Sequence, residues 1–491
     1  MSLIVKQSFS NIVIIMFAFT LGALNTLFFY PSIIGAEFYG IILILLAQSN
    51  IIQPIFSFGL QHSIIKFFSS VDSKKEKDEI LILSLIFPLL IIIPLSILFI
   101  LNYNFIGDYL STENPLIKEY IYIIVSIAIS TAYFEIFYSW CRVQKKTVFG
   151  NFLKEFYQRL LITILISFYF FDLIDFRYFT YLLIFGYYLR LIIIILYSLS
   201  IYRPNLRISI PSNINEILYY SFLIFLSGFG ASIIIDVDAA MLGKLVQDEF
   251  VAYYKVAIFI AAIIDAPSRA LFQILNPMVA ETINNNNISR LERLYKKSSS
   301  NLLLVSGFIS VLICSNIEDI YKLIYSLNLD NGFRLAIPVV FYISISKLSS
   351  ALVGCVNSII TNSKYYYAVP LFTISSAIGV IFLNIFFIEK IGFIGAAIST
   401  MIIIILFNTL KLIFVMFKFK IQPFSKKTIL ISVLIVTTYF AFYNLNLSAD
   451  FLINLILKSI LIFLTYLTTS YFLNLSEELN LFLKINKKEK F

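Results

Sequence analysis

The chain has 491 residues, 60% of them hydrophobic and only 13% charged, with 50 Phe, 31 Tyr and a mean hydropathy of +0.91. Soluble domains run roughly 45–50% apolar and about 25% charged. This chain needs lipid as a solvent, which excludes a soluble enzyme, a nucleic-acid-binding domain and a disordered scaffold. The net charge is +9, and the single His, His62, excludes most histidine-based metal and triad chemistry.

A bilayer crossing takes about 20 apolar residues of helix. The sequence predicts fourteen such spans, at 11–33, 38–65, 80–101, 117–140, 151–171, 178–200 and 215–238, then at 250–276, 298–317, 335–360, 366–388, 391–417, 428–446 and 450–473. The fold class is an all-α polytopic membrane protein; the alternating ten-residue segments of a membrane barrel do not occur. No connecting loop is long enough to fold alone, so any activity belongs to the helices. Most of the 37 Lys and Arg fall on one side of these spans, against Lys118, Arg177, Lys244, Lys322, Arg334 and Lys390 on the other. That bias places both termini in the cytoplasm and accounts for the positive charge without nucleic acid.

The chain reads as a duplication. Glu37-Phe38 followed by Pro54 in the second span is echoed by Glu249-Phe250 followed by Pro267 in the eighth. This predicts a six-helix bundle over 1–205, a second over 206–421, and two further helices with a basic tail over 422–491. Parallel repeats of this kind hold substrate between their halves in many transporters.

Polar side chains at helical spacing in an apolar stretch need a reason, because burying them unpaired costs several kcal/mol. Ser49, Gln53, Ser57 and Gln61 recur every fourth residue, with Lys66 beyond them. Asp265, Arg269, Gln273 and Asn276 form a comparable face, with Lys255 nearer the outer end. Two readings stay open: both faces line a central cavity, or they are polar glue between packed helices. Arg190 and Lys347 lie near mid-depth, and a wet cavity lined by such cations favours an anionic passenger. Glu135, Asp236 and Asp265 are the carboxylates available for coupling to an ion, or for structural pairing. Asp236-Val-Asp238 also fits the short D-x-D of glycosyltransferases, a nonspecific pattern. No Gly-rich phosphate loop, metal-ligand spacing or cofactor motif is present, and Cys141, Cys314 and Cys355 read as free thiols.

Three stretches carry a resemblance: Gly22 to Gly40 with Phe58 to Phe68; Asp238 to Ala257 (DAAMLGKLVQDEFVAYYKVA); and Ile391 to Thr400 with Asn408, Lys411 and Ile421 to Lys427. In this order, with fourteen spans, the chain resembles the Wzx-type polysaccharide and oligosaccharide flippases of the MATE-like transporter superfamily. It departs from their pattern at Ala239, where Arg is usual. The resemblance implies two six-helix bundles forming a V around a cavity, with alternating access, in a bacterial inner membrane. It implies a passenger made of an oligosaccharide on an isoprenoid diphosphate, such as an O-antigen repeat unit, and other membrane proteins of polysaccharide assembly as further partners. Cavity arginines of related lipid flippases match Arg269 by span. A drug or metabolite exporter of the same superfamily, and a membrane glycan polymerase or acyltransferase, are the rival readings.

Overall fold

The structure is a computed structural model that describes residues 3–68, 71, 73–205, 211–326 and 331–476. Every described element is helical, as a chain must be when its backbone groups have no water to bond. Among the described residues, thirteen helices are long and apolar enough to cross a membrane. The fifth predicted span is present as a composite of Val148–Asn151, a π-helical segment Phe152–Phe156, and Tyr157–Phe170. Phe417, Phe440 and Phe472 are 70–80% exposed, as befits side chains whose solvent is acyl chain. The three cysteines are free and buried. The chain divides into two compact units, Met1–Ala252 and Tyr253–Phe491.

In the first unit the Ala36–Ser57 helix packs against both Tyr122–Val143 and Ile214–Leu245. Tyr122–Val143 in turn packs on Phe176–Ile201. The core gathers Phe134, Phe137, Trp140, Leu153 and Ile194.

The second span is predicted as one helix, but it breaks. Phe58 and Gly59 both take positive φ, at 48° and 72°, and a new helix starts at Leu60. Pro54 precedes the break and its carbonyl accepts from Phe58 N at 2.9 Å. The Ile214–Leu245 helix clasps this corner. Phe225 stacks on Phe58 at 5.5 Å, and Ser221 bonds Ser63 at 2.6 Å. A Cβ on Gly59 would lie 2.9 Å from Phe225 N.

At the end of Phe176–Ile201, Tyr202 donates to Asp78 at 2.7 Å, and Asn205 N donates to the other carboxylate oxygen at 3.1 Å. Burial, and then the Asp78 carboxylate, hold the Tyr202 phenol well above its ordinary pKa. Asn114 ties the end of Ile214–Leu245 to the next helix by donating to Gly243 O at 2.6 Å and accepting from Asp248 N at 2.8 Å.

The second unit is built around Ile288–Ser315, which packs on Ala266–Asn284, Ile337–Leu352 and Lys426–Tyr443. The eighth span also breaks, into Asp248–Ala262, a 3-10 turn Ile263–Asp265, and Ala266–Asn284 with Pro267 in its first turn. Ala368–Ile391 and Phe393–Phe419 form a hairpin through Gly392, at φ 69°. Phe451–Phe472 docks by Tyr466 donating to Leu304 O at 3.0 Å and Asn454 donating to Asp319 at 2.5 Å. Lys458 is buried beneath that contact, 3.4 Å from Tyr443 O, and so serves the packing of this helix.

Candidate functional site

The first unit holds a group of charges inside its core. Arg190 projects from Phe176–Ile201 and is 1% exposed. An isolated buried cation is costly, and here aromatic faces and dipoles replace its water. The guanidinium lies 4.1 Å from the Phe134 ring centroid and 4.9 Å from that of Tyr187. Nη2 donates to Thr131 at 3.4 Å. Gln158, in the amide orientation that suits its neighbours, accepts from Arg190 Nη1 and donates to Lys154 O at 3.1 Å. Arg190 Nε finds no acceptor among the described residues.

Glu135 follows Phe134 on the Tyr122–Val143 helix, and its carboxylate is 2.7 Å from Lys154 Nζ. Lys154 sits in the π-helical segment. Such segments insert an extra residue into a turn and recur at functional sites. One turn on, Arg159 bonds Glu155 O and lies 3.3 Å from the Glu155 carboxylate. A second π-helical segment, Asn25–Ile34 with Pro31 inside it, packs on this region, and Asn25 donates to Arg159 O at 2.8 Å. Two irregular segments and five charged side chains thus meet in one region, with Arg190 buried and the other four partly exposed. His62, just past the Phe58–Gly59 break, interacts electrostatically with Arg142, Glu135 and Lys154.

The predicted polar face of the second span divides. Ser49 and Ser57 are buried, and their hydroxyls donate to Leu45 O at 2.7 Å and Pro54 O at 3.3 Å. Gln53 donates to Ser57 at 3.3 Å. Gln61 lies beyond the break, off the helical register of the other three, with its buried Oε1 unpartnered among the described residues. Lys66 is exposed, 4.1 Å from the Tyr220 ring. Asp236 is half-buried on Ile214–Leu245.

In the second unit the 3-10 turn changes the face that Arg269 shares with Asp265. Arg269 is exposed in the first turn of Ala266–Asn284, and among the described residues it forms no ion pair with Asp265. Asn276 accepts from Ser358. The Gln273 side chain lies outside the described residues. Lys255 is half-buried on Asp248–Ala262. Lys347 is half-buried on Ile337–Leu352, with no ion pair among the described residues. One turn away, Asn408 of Phe393–Phe419 donates to Ser349 at 3.2 Å and Ser350 at 3.1 Å. Lys411, one turn past Asn408, is a second half-buried cation there.

Several of these residues escape a reading of sequence alone. Lys154, Arg159 and Lys411 look like topology charges at helix ends, and His62 like an isolated polar residue. One signal is available for two of them: Lys154 and Arg159 fall inside the fifth apolar span, where charge is expensive.

Residues 4–283 match the family of polysaccharide biosynthesis proteins. Among solved structures, the chain is similar to the lipid II flippase MurJ in an inward closed conformation, with a TM-score of 0.72 and 18% identity. That likeness covers 94% of this chain and 98% of MurJ. It is also similar to an inward-facing multidrug resistance MATE family transporter of the MOP superfamily, with a TM-score of 0.60, 13% identity, and 84% and 98% of the two chains covered. No curated protein matches by sequence. At such identities the likenesses fix the fold: a multi-pass helical membrane protein built like MurJ and the MATE transporters. The family match spans more than half of the sequence, and the chain therefore belongs to the polysaccharide biosynthesis protein family.

Proposed function

We propose that this protein turns an isoprenoid-diphosphate-linked oligosaccharide, a surface-polysaccharide or O-antigen repeat unit, from the cytoplasmic to the outer leaflet of a bacterial inner membrane by alternating access. The observation that carries the reading is that Arg269 and Lys347, within predicted spans of the second unit, have no carboxylate partner among the described residues, in a member of a polysaccharide biosynthesis family. Arg269 is exposed and Lys347 half-buried, neither with an ion pair among the described residues, and an anionic passenger would supply the opposite charge. One cation about 4 Å from a phosphate gains on the order of 4 kcal/mol at an effective dielectric near 20. Arg269, Lys255 and Lys347 hold the diphosphate, and Gln53, Gln61 and Gln273 bond sugar hydroxyls. Ser49 and Ser57, already bonded to their own helix, shape that face. Lys66 receives the substrate at the basic side.

Arg190, almost wholly enclosed, acts through its neighbours rather than by contact. Glu135 is the favoured coupling group: protonating it releases Lys154 and removes the opposing charge from the core. Asp236 and Asp265 are the alternatives. The division into 1–205, 206–421 and 422–491 belongs to the same proposal. The likeness to a MATE transporter supports a second reading, export of a small molecule; the excess of cations over acids at depth weighs against a cationic drug.

The test is reconstitution in vesicles with a lipid-diphosphate oligosaccharide, following exposure of the sugar to an impermeant oxidant. Transport by the wild type, and a loss of tenfold or more in Arg269→Ala at equal protein level, support the reading. Equal rates in both, or no transport of this substrate class, overturn it.

A further inference from the structure

The first unit holds a cavity away from its charged core. It has a volume of about 580 Å3 and forms where four helix ends meet. Phe38 comes from the start of Ala36–Ser57, Tyr120 from the segment before Tyr122–Val143, Tyr169 from the end of Tyr157–Phe170, and Phe176 and Arg177 from the start of Phe176–Ile201. The Lys and Arg bias assigns all four ends to the outer face.

The turn between Tyr157–Phe170 and Phe176–Ile201 supplies the polar wall. Asp172 N donates to Tyr169 O at 3.1 Å, and Asp172 takes φ 54°, a conformation that Asp and Asn tolerate better than most residues. Asp175 then caps the next helix, accepting from Tyr178 N at 2.8 Å through Oδ1. Both carboxylates are exposed, and that of Asp172 has no hydrogen bond or ion pair among the described residues. The apolar wall is fixed by its own packing. Phe176 is buried, stacked on Phe38 at 4.2 Å and meeting the edge of Tyr120 at 5.3 Å. Phe38 and Tyr169 are half-buried and keep part of each ring open.

The charge balance selects the ligand. Two carboxylates line the cavity against one guanidinium, and Arg177 Nε already donates to the Tyr181 hydroxyl at 3.2 Å. Glu119 adds a further negative charge near Tyr120. Such a surface repels a phosphate ester, so neither a diphosphate nor an anionic lipid headgroup suits it. Carboxylates accept hydrogen bonds at two oxygens each, which matches neighbouring sugar hydroxyls, and aromatic rings cover the apolar C–H face of a sugar ring.

We propose that this cavity is an outer-face binding site for an uncharged oligosaccharide. Asp172 and Asp175 accept from its hydroxyls, and Tyr169 and Phe38 contact its C–H faces. The site receives the sugar portion of the passenger once it has been turned, while the diphosphate stays outside. That origin of the sugar rests on the transport reading; binding of the sugar here does not.

The test uses the oligosaccharide released by mild acid from the lipid carriers of the source cells, freed of lipid and phosphate. Its binding to the purified full-length protein in neutral detergent is followed by saturation-transfer NMR and by titration. The wild type should bind it. Tyr169→Ala should weaken binding about tenfold through loss of the ring contact, whereas Tyr169→Phe keeps the ring and stays within about twofold of wild type. Asp172→Asn, which retains a residue suited to φ 54°, should weaken binding about fivefold as a charge-assisted acceptor becomes a neutral one. It carries the test by itself if Tyr169→Ala folds poorly. No binding by the wild type overturns the proposal, as does equal binding by Asp172→Asn and wild type. Displacement of the sugar by an equal concentration of inorganic pyrophosphate overturns it as well, by marking an anion site. The two readings fail separately: binding without transport of the lipid-linked form keeps this site and removes the transport reading, and transport with equal binding in every variant does the reverse.

Discussion

The Glu135–Lys154 pair can be tested by a double-mutant cycle. Lys154→Met removes the cation 2.7 Å from a carboxylate that is 19% exposed. Leaving one partner of a fully buried pair uncompensated costs about 3–5 kcal/mol, whereas exposed pairs are worth about 0–1 kcal/mol. The Lys154 side chain is 40% exposed, so the pair falls between these limits. Lys154→Met should cost about 2 kcal/mol. Glu135→Gln should cost about 1 kcal/mol, because a long Lys side chain can turn its ammonium toward water. The double variant should be little worse than Lys154→Met alone, giving a coupling energy of about 1 kcal/mol.

The assay is built into the chain. Trp140 is the only Trp, is fully buried, and belongs to the same core as Phe134, so intrinsic fluorescence during unfolding in detergent reads this region directly. Costs that add to within about 0.3 kcal/mol would refute the ion pair as an energetic unit.

Other consequences follow from the same geometry. Arg190→Lys should lower stability by about 2 kcal/mol, close to the effect of Arg190→Met, because an ammonium can neither stack on Phe134 nor fork to Thr131 and Gln158; unfolding of both variants checks this. Gly59→Ala forces a Cβ against Ser221 and Phe225 at φ 72° and should cost about 2 kcal/mol, with loss of the helix break; an equally stable variant would show that the corner yields freely. Tyr202→Phe removes the bond to Asp78 and should cost about 1–2 kcal/mol at neutral pH. The neutral Tyr202 phenol is the form the fold favours, so its contribution is intact below pH about 10 and is lost as pH rises through the elevated folded pKa. The stability difference between wild type and Tyr202→Phe should therefore shrink in alkali.

The fold was largely legible in sequence because bilayer thickness imposes one length on every crossing. Each of the fourteen predicted stretches is mainly helical in the structure, with 335–360 also interrupted between Leu352 and Val356. What the pattern does not reveal is where a helix breaks. Hydropathy is blind to the positive φ at Phe58 and Gly59 and to the 3-10 turn at Ile263–Asp265, and each break removes a residue from a face drawn on an unbroken helix: Gln61 in one, Arg269 in the other.

The charged core was half legible. Arg190 and Glu135 stand out because charge in an apolar stretch is costly. Of their neighbours, Lys154 gives the same signal inside the fifth span but Gln158 and Thr131 do not, and the proximity of all three comes from three helices meeting and from a π-helical turn at Phe152–Phe156. Lys411 is hidden for a similar reason. Its sequence neighbourhood resembles a cytoplasmic helix end, and it is the packing of its helix on the one carrying Lys347, with the hydrogen bonds from Asn408 to Ser349 and Ser350, that brings the two together.

The central claim is that membrane-depth cations recognise a diphosphate on a lipid. The most direct measurement compares the affinity of the purified protein for one oligosaccharide carried on an isoprenoid diphosphate, on the monophosphate and on an uncharged isoprenoid, with wild type and Arg269→Ala. The account predicts weaker binding at each loss of phosphate, and a smaller difference between the carriers in Arg269→Ala. Equal affinity for the charged and uncharged carriers would contradict it.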